Sequence, residues 1–234
     1  KAALEPCGPV ALNWGTPDDL RGSMNDSKTW IDRAAETKCA LPMLFASMGT
    51  EDPSFDNCKA HNELAGKMAA KYLYDRGFRR LLMAFDEVST GVKFEKHPRF
   101  AGFTDYLANK KVVISSIHYS RHNRANSFSD DLMAEVKKSD EPLGIFAFND
   151  LTAFRCHCTF ELNKCCCEPG KLEMICCDNT FLLDHFRTPI PVIDLHIDRI
   201  AKSAVDRLIY RFQNPDESFV EILYKPDLIL PDNL

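Results

Sequence analysis

Gly144-Ile-Phe-Ala-Phe-Asn-Asp150 decides the fold. A short apolar run ends in two polar residues, and a helical pattern follows from Leu151 to Leu162. A run of this length, bounded by polar punctuation, reads as a strand buried on both faces. Met174-Ile-Cys-Cys-Asp-Asn179 repeats the arrangement. The second run belongs to a strand read over Leu172–Cys177, and outward from these two Arg80–Phe85 and Val112–Ile117 also read as strands. Between them lie helical patterns at Glu63–Tyr74, Pro98–Leu107 and Asp130–Lys138. In the first, Leu64, Met68, Ala69, Tyr72 and Leu73 share one face, and Gly77 follows as a stop signal. Strands alternating with helices predict βαβ units and a parallel sheet, hence an α/β fold.

At either end the rhythm weakens. Ala40–Ala46 reads as a short strand and Lys28–Glu36 as a weak helix. After Asp178, Thr188-Pro-Ile-Pro-Val-Ile193 is extended, because each proline disfavours helix in the residue before it. Ile197, Ile200, Ala201, Ala204, Val205 and Leu208 then form one helical face. Phe219–Ile229 is extended again, interrupted by Pro226.

The chain has 234 residues, 45% hydrophobic and 27% charged, which suffices for a large core or two smaller ones. A net charge of −5 argues against a nucleic-acid-binding face within it. No apolar run approaches the ~18 residues of a membrane span, and no signal peptide opens the sequence. Lys1-Ala-Ala-Leu-Glu-Pro lacks an initiating Met, as in a fragment or a processed chain. Seven of the ten cysteines fall between Cys156 and Cys177. Their adjacent and i,i+2 spacings are not the C-x₂-C grip of a tetrahedral metal, so no metal and no cofactor is expected. So many thiols without a disulfide framework suit a reducing cytoplasm.

Three polar residues stand out as a candidate binding set. Asn149 and Asp178 close apolar runs, and Arg99 sits in Arg-Phe-Ala-Gly-Phe103. Ligands of open α/β sheets bind beyond the carboxyl ends of the strands. A guanidinium, an amide and a carboxylate together suit a small polyhydroxylated molecule. Each has a plainer alternative: a surface ion pair for Arg99, a helix cap for Asn149-Asp150, a turn for Asp178-Asn179. On this reading Asp150 does the capping and Asn149 is left to face the ligand. His61 is either a helix-start residue or a fourth ligand contact. Trp14 and Phe85 are candidate aromatic platforms or core residues. His157 reads as an ordinary helix position.

The order of motifs resembles the effector-binding domain of the lactose-repressor (LacI/GalR) transcription-regulator family. His61-Asn-Glu-Leu-Ala-Gly66, with the rest of its helix to Phe78, resembles the family's Asp-Asn-x-x-Ala-Gly segment. Arg99–Phe103 resembles Arg-x-x-Gly-Phe, and Phe146–Ala153 resembles Ala-x-Asn-Asp-x-x-Ala. Pro169–Asn179 resembles a segment ending Gly-x-Asp-Asn, and Thr188–Ile193 resembles Pro-Pro-Leu-Thr-Thr-Val. Departures are His61 for Asp, Cys165 near the expected helix-ending Gly, Cys176 for Gly, and Pro191-Val192 for Thr-Thr. The stretch before residue 55 is also shorter than the family's first two βα units.

The resemblance implies a two-lobed periplasmic-binding-protein-like fold, with parallel sheets flanked by helices and a ligand cleft. Read onto this sequence, residues 1–77 and 192–220 form an N-terminal lobe, its start incomplete, and 78–191 and 221–234 a C-terminal lobe. It implies that Arg99, Asn149, Asp178 and His61 contact the effector, a sugar or related small molecule. It also implies a homodimer, with operator DNA bound only through a helix-turn-helix absent from this chain.

Two other classes remain. A sugar-binding protein of an ABC transporter shares the fold, but the thiol load disfavours that compartment. An enzyme would need Asp178 with His61 or His97 as acid and base, and no nucleophile motif, phosphate loop or metal spacing supports one.

Overall fold

The computed structural model describes residues 56–86, 97–119, 125–165, 168, 170–214 and 216–231. The strand expected at Ala40–Ala46, the helix at Lys28–Glu36 and the aromatic at Trp14 lie outside these residues. The chain divides into two compact units, Lys1–Ala60 with His196–Tyr224, and His61–Leu195 with Lys225–Leu234.

The larger unit is a six-stranded sheet ordered β3-β2-β4-β5-β6-β8. Its strands are β2 (Arg80–Asp86), β3 (Val113–Tyr119), β4 (Leu143–Ala147), β5 (Leu172–Cys177), β6 (Val192–Asp194) and β8 (Asp227–Ile229). The pairings from β3 through β6 are parallel, and β8 joins β6 antiparallel. Helices α1 (Asn62–Asp75), α2 (Pro98–Leu107), α3 (Ala125–Lys137) and α4 (Asp150–Leu162) belong to this unit, with a short 3-10 turn at Phe181–His185.

Burial on both faces explains why β4 and the Met174–Cys177 stretch of β5 read as continuous apolar runs. Leu82, Ile145, Met174 and Cys176 face a core completed by Leu132 of α3 and by Ala153, Cys156 and Phe160 of α4. The alternate residues face α1 and α2. Gly144 lies under the side chains of Leu73 and Phe78, and Phe146 stacks on Phe103 of α2 at 5.1 Å. Each Leu or Ile buried at this level contributes about 1.5–3 kcal/mol. Cys176 and Cys177 therefore fill opposite faces of one strand, both fully buried.

The smaller unit, in its described part, pairs β1 (Asn57–Ala60) with β7 (Glu221–Tyr224) in parallel and packs α5 (Ile197–Gln213) against β1. Asp56 ties it together. Arg211 grips its carboxylate with two bonds of 2.9 Å, Arg207 lies 3.1 Å away, and the Val220 N–H donates at 3.0 Å. Burial works against the Asp56 charge, but these donors outweigh it and hold the carboxyl below its ordinary range.

The unit boundaries differ from those expected. The first falls at Ala60/His61, not at 77/78, because α1 is bound to the larger sheet. Glu173 of β5 receives Arg76, the C-cap of α1, at 2.7 and 3.1 Å and the Tyr72 hydroxyl of α1 at 3.3 Å. The later boundaries fall at Leu195/His196 and Tyr224/Lys225, because β6 pairs with β5 and β7 with β1.

Candidate functional site

Arg99 enters the site from the first turn of α2. His97 is that helix's N-cap and Pro98 its first residue, a pairing suited to a helix start. The His97 Nδ1 accepts from the Arg99 N–H at 3.1 Å, so the ring is neutral and carries its proton on Nε2. Burial first, and the nearby guanidinium second, push its pKa down to about 3. A general acid or base role for His97 is thereby contradicted, since a neutral capping acceptor has nothing to exchange near pH 7.

The Arg99 side chain is 1% exposed, which removes the surface ion-pair alternative. Its Nε donates to the Asn62 Oδ1 at 2.7 Å and its Nη1 to the Phe148 carbonyl at 2.6 Å. The Nη2 reaches the Asp178 Oδ1 at 3.4 Å, and the guanidinium carbon sits 4.7 Å from the Phe148 ring centroid. A buried cation needs partners of this number and quality. The position also depends on two glycines. A Cβ on Gly66 of α1 would stand 1.9 Å from the Arg99 carbonyl oxygen, and one on Gly102 of α2 would stand 1.9 Å from the Glu63 carbonyl oxygen.

Asn149 and Asp150 divide their roles opposite to expectation. Asn149 is the N-cap of α4, its Oδ1 accepting from the Thr152 N–H at 2.8 Å and the Thr152 hydroxyl at 2.7 Å. Asp150 binds the Leu151 N–H and the Thr180 hydroxyl instead. The backbone decides this: Asn149 is the last extended residue, and a cap must precede the helix. Its oxygen is committed to the cap.

Asp178 adopts a left-handed backbone, φ 70°, and its N–H donates to the Ile193 carbonyl at 3.1 Å. Its side chain is 18% exposed. Burial raises its pKa, Arg99 opposes, and Asp150 and Asp194 raise it further; the net lies above the ordinary value. Arg99, Asn149 and Asp178 are thus brought together at the carboxyl ends of β4 and β5. His61 caps α1, its Nδ1 accepting from Leu64 N–H at 3.3 Å. Phe85 is fully buried in edge contact with Phe148 at 4.6 Å, a core position and not a platform. His157 stacks on Phe186 at 4.4 Å.

Sequence reading missed Asn62, His97 and the Phe148 carbonyl, which orient Arg99. His97-Pro98 is a helix-start signal and was available; the Asn62 contact spans 37 residues and was not. Among the described residues, no group of three or more His, Cys, Asp or Glu is arranged to hold a metal ion, and no helix is long and apolar enough to cross a membrane.

A mostly parallel sheet wrapped by helices, with a polar set at adjoining strand ends, defines a periplasmic-binding-protein-like module. The chain belongs to the periplasmic binding protein-like domain family, whose model matches residues 70–230. It is 25% identical over 196 residues to the HTH-type transcriptional repressor PurR of Photobacterium profundum, covering 82% of this chain and 57% of that protein. It is 25% identical over 210 residues to the PurR of Vibrio parahaemolyticus, covering 87% and 59%. The chain therefore spans less than two thirds of these relatives.

Among solved structures, a periplasmic binding protein/LacI transcriptional regulator from Alkaliphilus metalliredigens, complexed with D-xylulofuranose, superposes with TM-score 0.68. It is 19% identical, over 88% of this chain and 82% of that one. A LacI family transcriptional regulator from Enterococcus faecalis with bound ribose gives TM-score 0.71 at 16% identity, over 93% and 74%. The resemblance drawn from the motifs and the α/β fold class are both borne out.

Proposed function

We propose that this chain is the effector-sensing domain of a LacI-type transcriptional regulator. It binds a sugar or sugar-like small molecule through Arg99, Asn149 and Asp178, with His61 as a further contact. The observation that carries this reading is the buried Arg99 guanidinium, clamped by Asn62 and Phe148 and bonded to the partly exposed Asp178 carboxylate. A pre-oriented donor–acceptor pair at a strand end is what recognition of vicinal hydroxyls requires. The repressor names of the relatives and the bound sugars of the fold neighbours support it. Signalling requires that the ligand bind one conformation more tightly than another. The protein works in the cytoplasm as a homodimer, and DNA contact belongs to a segment outside this chain.

A calorimetric screen of sugars and nucleobases, repeated on Arg99→Ala and Asp178→Asn, tests the reading. A hydrogen bond to a charged group contributes ~1.5–3 kcal/mol, so each substitution should weaken binding about 10- to 100-fold. Asn suits the left-handed backbone at position 178, so that variant changes charge without added strain. A ligand bound equally well by both variants would place the site elsewhere. The reading frame upstream of Lys1 separates this reading from a transporter's sugar-binding protein: a helix-turn-helix favours the first, a signal peptide the second.

A further inference from the structure

We infer, on the effector-binding reading above, that Asn62 is a positioning residue that carries effector occupancy to β1 of the smaller unit. It does so by closing a line of bonds that runs through Arg99 and Asp178 to Ile193.

Asn62 is the first residue of α1, and the cap of that helix is His61, whose ring takes the Leu64 N–H. A short polar side chain at a helix start ordinarily bonds its own first turn. The Asn62 Oδ1 is instead given to the Arg99 Nε at 2.7 Å, 37 residues away. Asn62 is buried and stands two residues after Ala60, which ends both β1 and the first stretch of the smaller unit. Ala60 is paired with Tyr224, the residue at the third boundary. At the other end of the line, the Asp178 N–H holds the Ile193 carbonyl at 3.1 Å, two residues before the boundary at Leu195/His196. Ile193 in turn pairs with Leu228, on the segment that follows Tyr224.

Arg99 joins these two ends unevenly. Its bonds to Asn62 and to the Phe148 carbonyl are 2.7 and 2.6 Å, whereas its reach to Asp178 is 3.4 Å. An N–H···O bond centres near 2.9 Å, and one between charged groups is shorter still. The guanidinium is therefore seated on the Asn62 side, with a slack link to Asp178. Asp178 is the partly exposed member, so a ligand hydroxyl can donate to its carboxylate and fix it against the guanidinium. Occupancy then stiffens one line of bonds from the start of α1 to the end of β6. Both ends of that line lie two residues from a boundary, and the Asn62 side chain is the link that reaches the β1 end.

Hydrogen exchange read by mass spectrometry on the full chain tests this, with ribose as the probe and the tightest binder of the screen above in its place if ribose is silent. Each protein is compared free and at the same multiple of its own Kd, so that general stabilisation by the ligand is equal throughout. In the wild type the probe should slow exchange at least about fivefold in β1 and in the first turn of α5. In Asn62→Ala the slowing in β1 should fall below about twofold, while that at Ile193 and in α5 persists. Asn62→Asp keeps an acceptor for the Arg99 Nε and should restore the effect in β1. Slowing in β1 that survives Asn62→Ala overturns the inference and leaves the effector site standing. So does a wild type in which the slowing stays within the larger unit. An Asn62→Asp that restores nothing overturns it too, because side-chain volume and not the bond would then matter. If Asn62→Ala does not fold, Asn62→Ser, with its shorter side chain, is read in the same way. A folded variant that binds no probe at all also overturns the inference, since Asn62 would then serve affinity alone. Silence from ribose and from every compound of the screen overturns both readings.

Discussion

The carbonyl oxygen of Arg99 presses on the Cα of Gly66, in space that any larger residue would fill. Gly102 and Glu63 repeat the contact in the opposite sense, so α1 and α2 cross at backbone contact. That crossing seats the first turn of α2 where Arg99 can reach both Asn62 and Asp178.

The sign of one substitution separates packing from propensity. Gly in a helix interior costs roughly 0.5–1 kcal/mol relative to Ala, so propensity alone predicts that Gly66→Ala stabilises. Overpacking typically costs about 1–3 kcal/mol, and here the obstacle is backbone, which cannot rotate away. Gly66→Ala should therefore lower the urea midpoint and weaken effector binding together. A raised midpoint would show that the helices separate freely and that the crossing does not position Arg99.

What the sequence disclosed follows from how local each signal is. β4 and the Met174–Cys177 stretch of β5 are legible because strands buried on both faces are largely apolar, and α2 has the bounds expected for it, Pro98–Leu107. β1 was missed: Asn57-Cys-Lys-Ala60 is short and half polar, and its strand character comes from pairing with β7 far along the chain. The first turn of α3 was missed because Ala125-Asn-Ser127 carries no apolar period. For the site, strand ends pointed to Asn149 and Asp178, and the motif to Arg99. The exchange of roles between Asn149 and Asp150 depends on a single residue's backbone angle, which no side-chain pattern encodes.

Helix α4 ends with the same economy of signals. The Cys165 N–H donates to the Phe160 carbonyl at 2.9 Å, and Lys164 between them is left-handed at φ 53°. This is the position where helices usually carry glycine, and glycine was expected near Cys165. Lysine there bears a side-chain clash that glycine avoids, at about 1–2 kcal/mol. Lys164→Gly should raise the thermal midpoint, and Lys164→Val should lower it. Equal midpoints for the two would show that the left-handed turn is absent.

Thiol chemistry should sort the cysteines by burial. Cys58, Cys156, Cys176 and Cys177 are buried, whereas Cys158 and Cys165 are partly exposed. Burial pushes the Cys177 thiol up to about 12 and that of Cys176 well above its ordinary value. Alkylation requires the thiolate, which at pH 8 is then roughly one part in ten thousand at Cys177. Among the described cysteines, peptide mapping after brief alkylation of the folded protein should find Cys158 and Cys165 modified first. Cys176 and Cys177 should react only in denaturant. Early modification at Cys177 would contradict the placement of β5 between two helical layers.

His97 should make stability fall as pH falls through the mildly acidic range. In the folded chain its ring caps α2, packs edge-on to Phe148 at 4.5 Å and titrates near 3, below the unfolded value of 6.5. Above pH 6.5 the ring is neutral in both states and costs nothing. Below it, the unfolded chain takes up a proton that the folded chain refuses, so stability declines as pH falls. One pKa unit is about 1.4 kcal/mol, so the loss between pH 6.5 and 5 is roughly 2 kcal/mol. Glu173 loses its stabilising charge only as pH falls below the ordinary carboxylate range, outside this window. His97→Asn keeps a capping acceptor for the Arg99 N–H and has no proton to gain. Urea titrations at pH 7 and pH 5 should show the wild type losing about 2 kcal/mol more than His97→Asn. Parallel losses in the two proteins would mean that His97 is protonated in the folded state, and the cap and the Arg99 geometry built on it would be wrong.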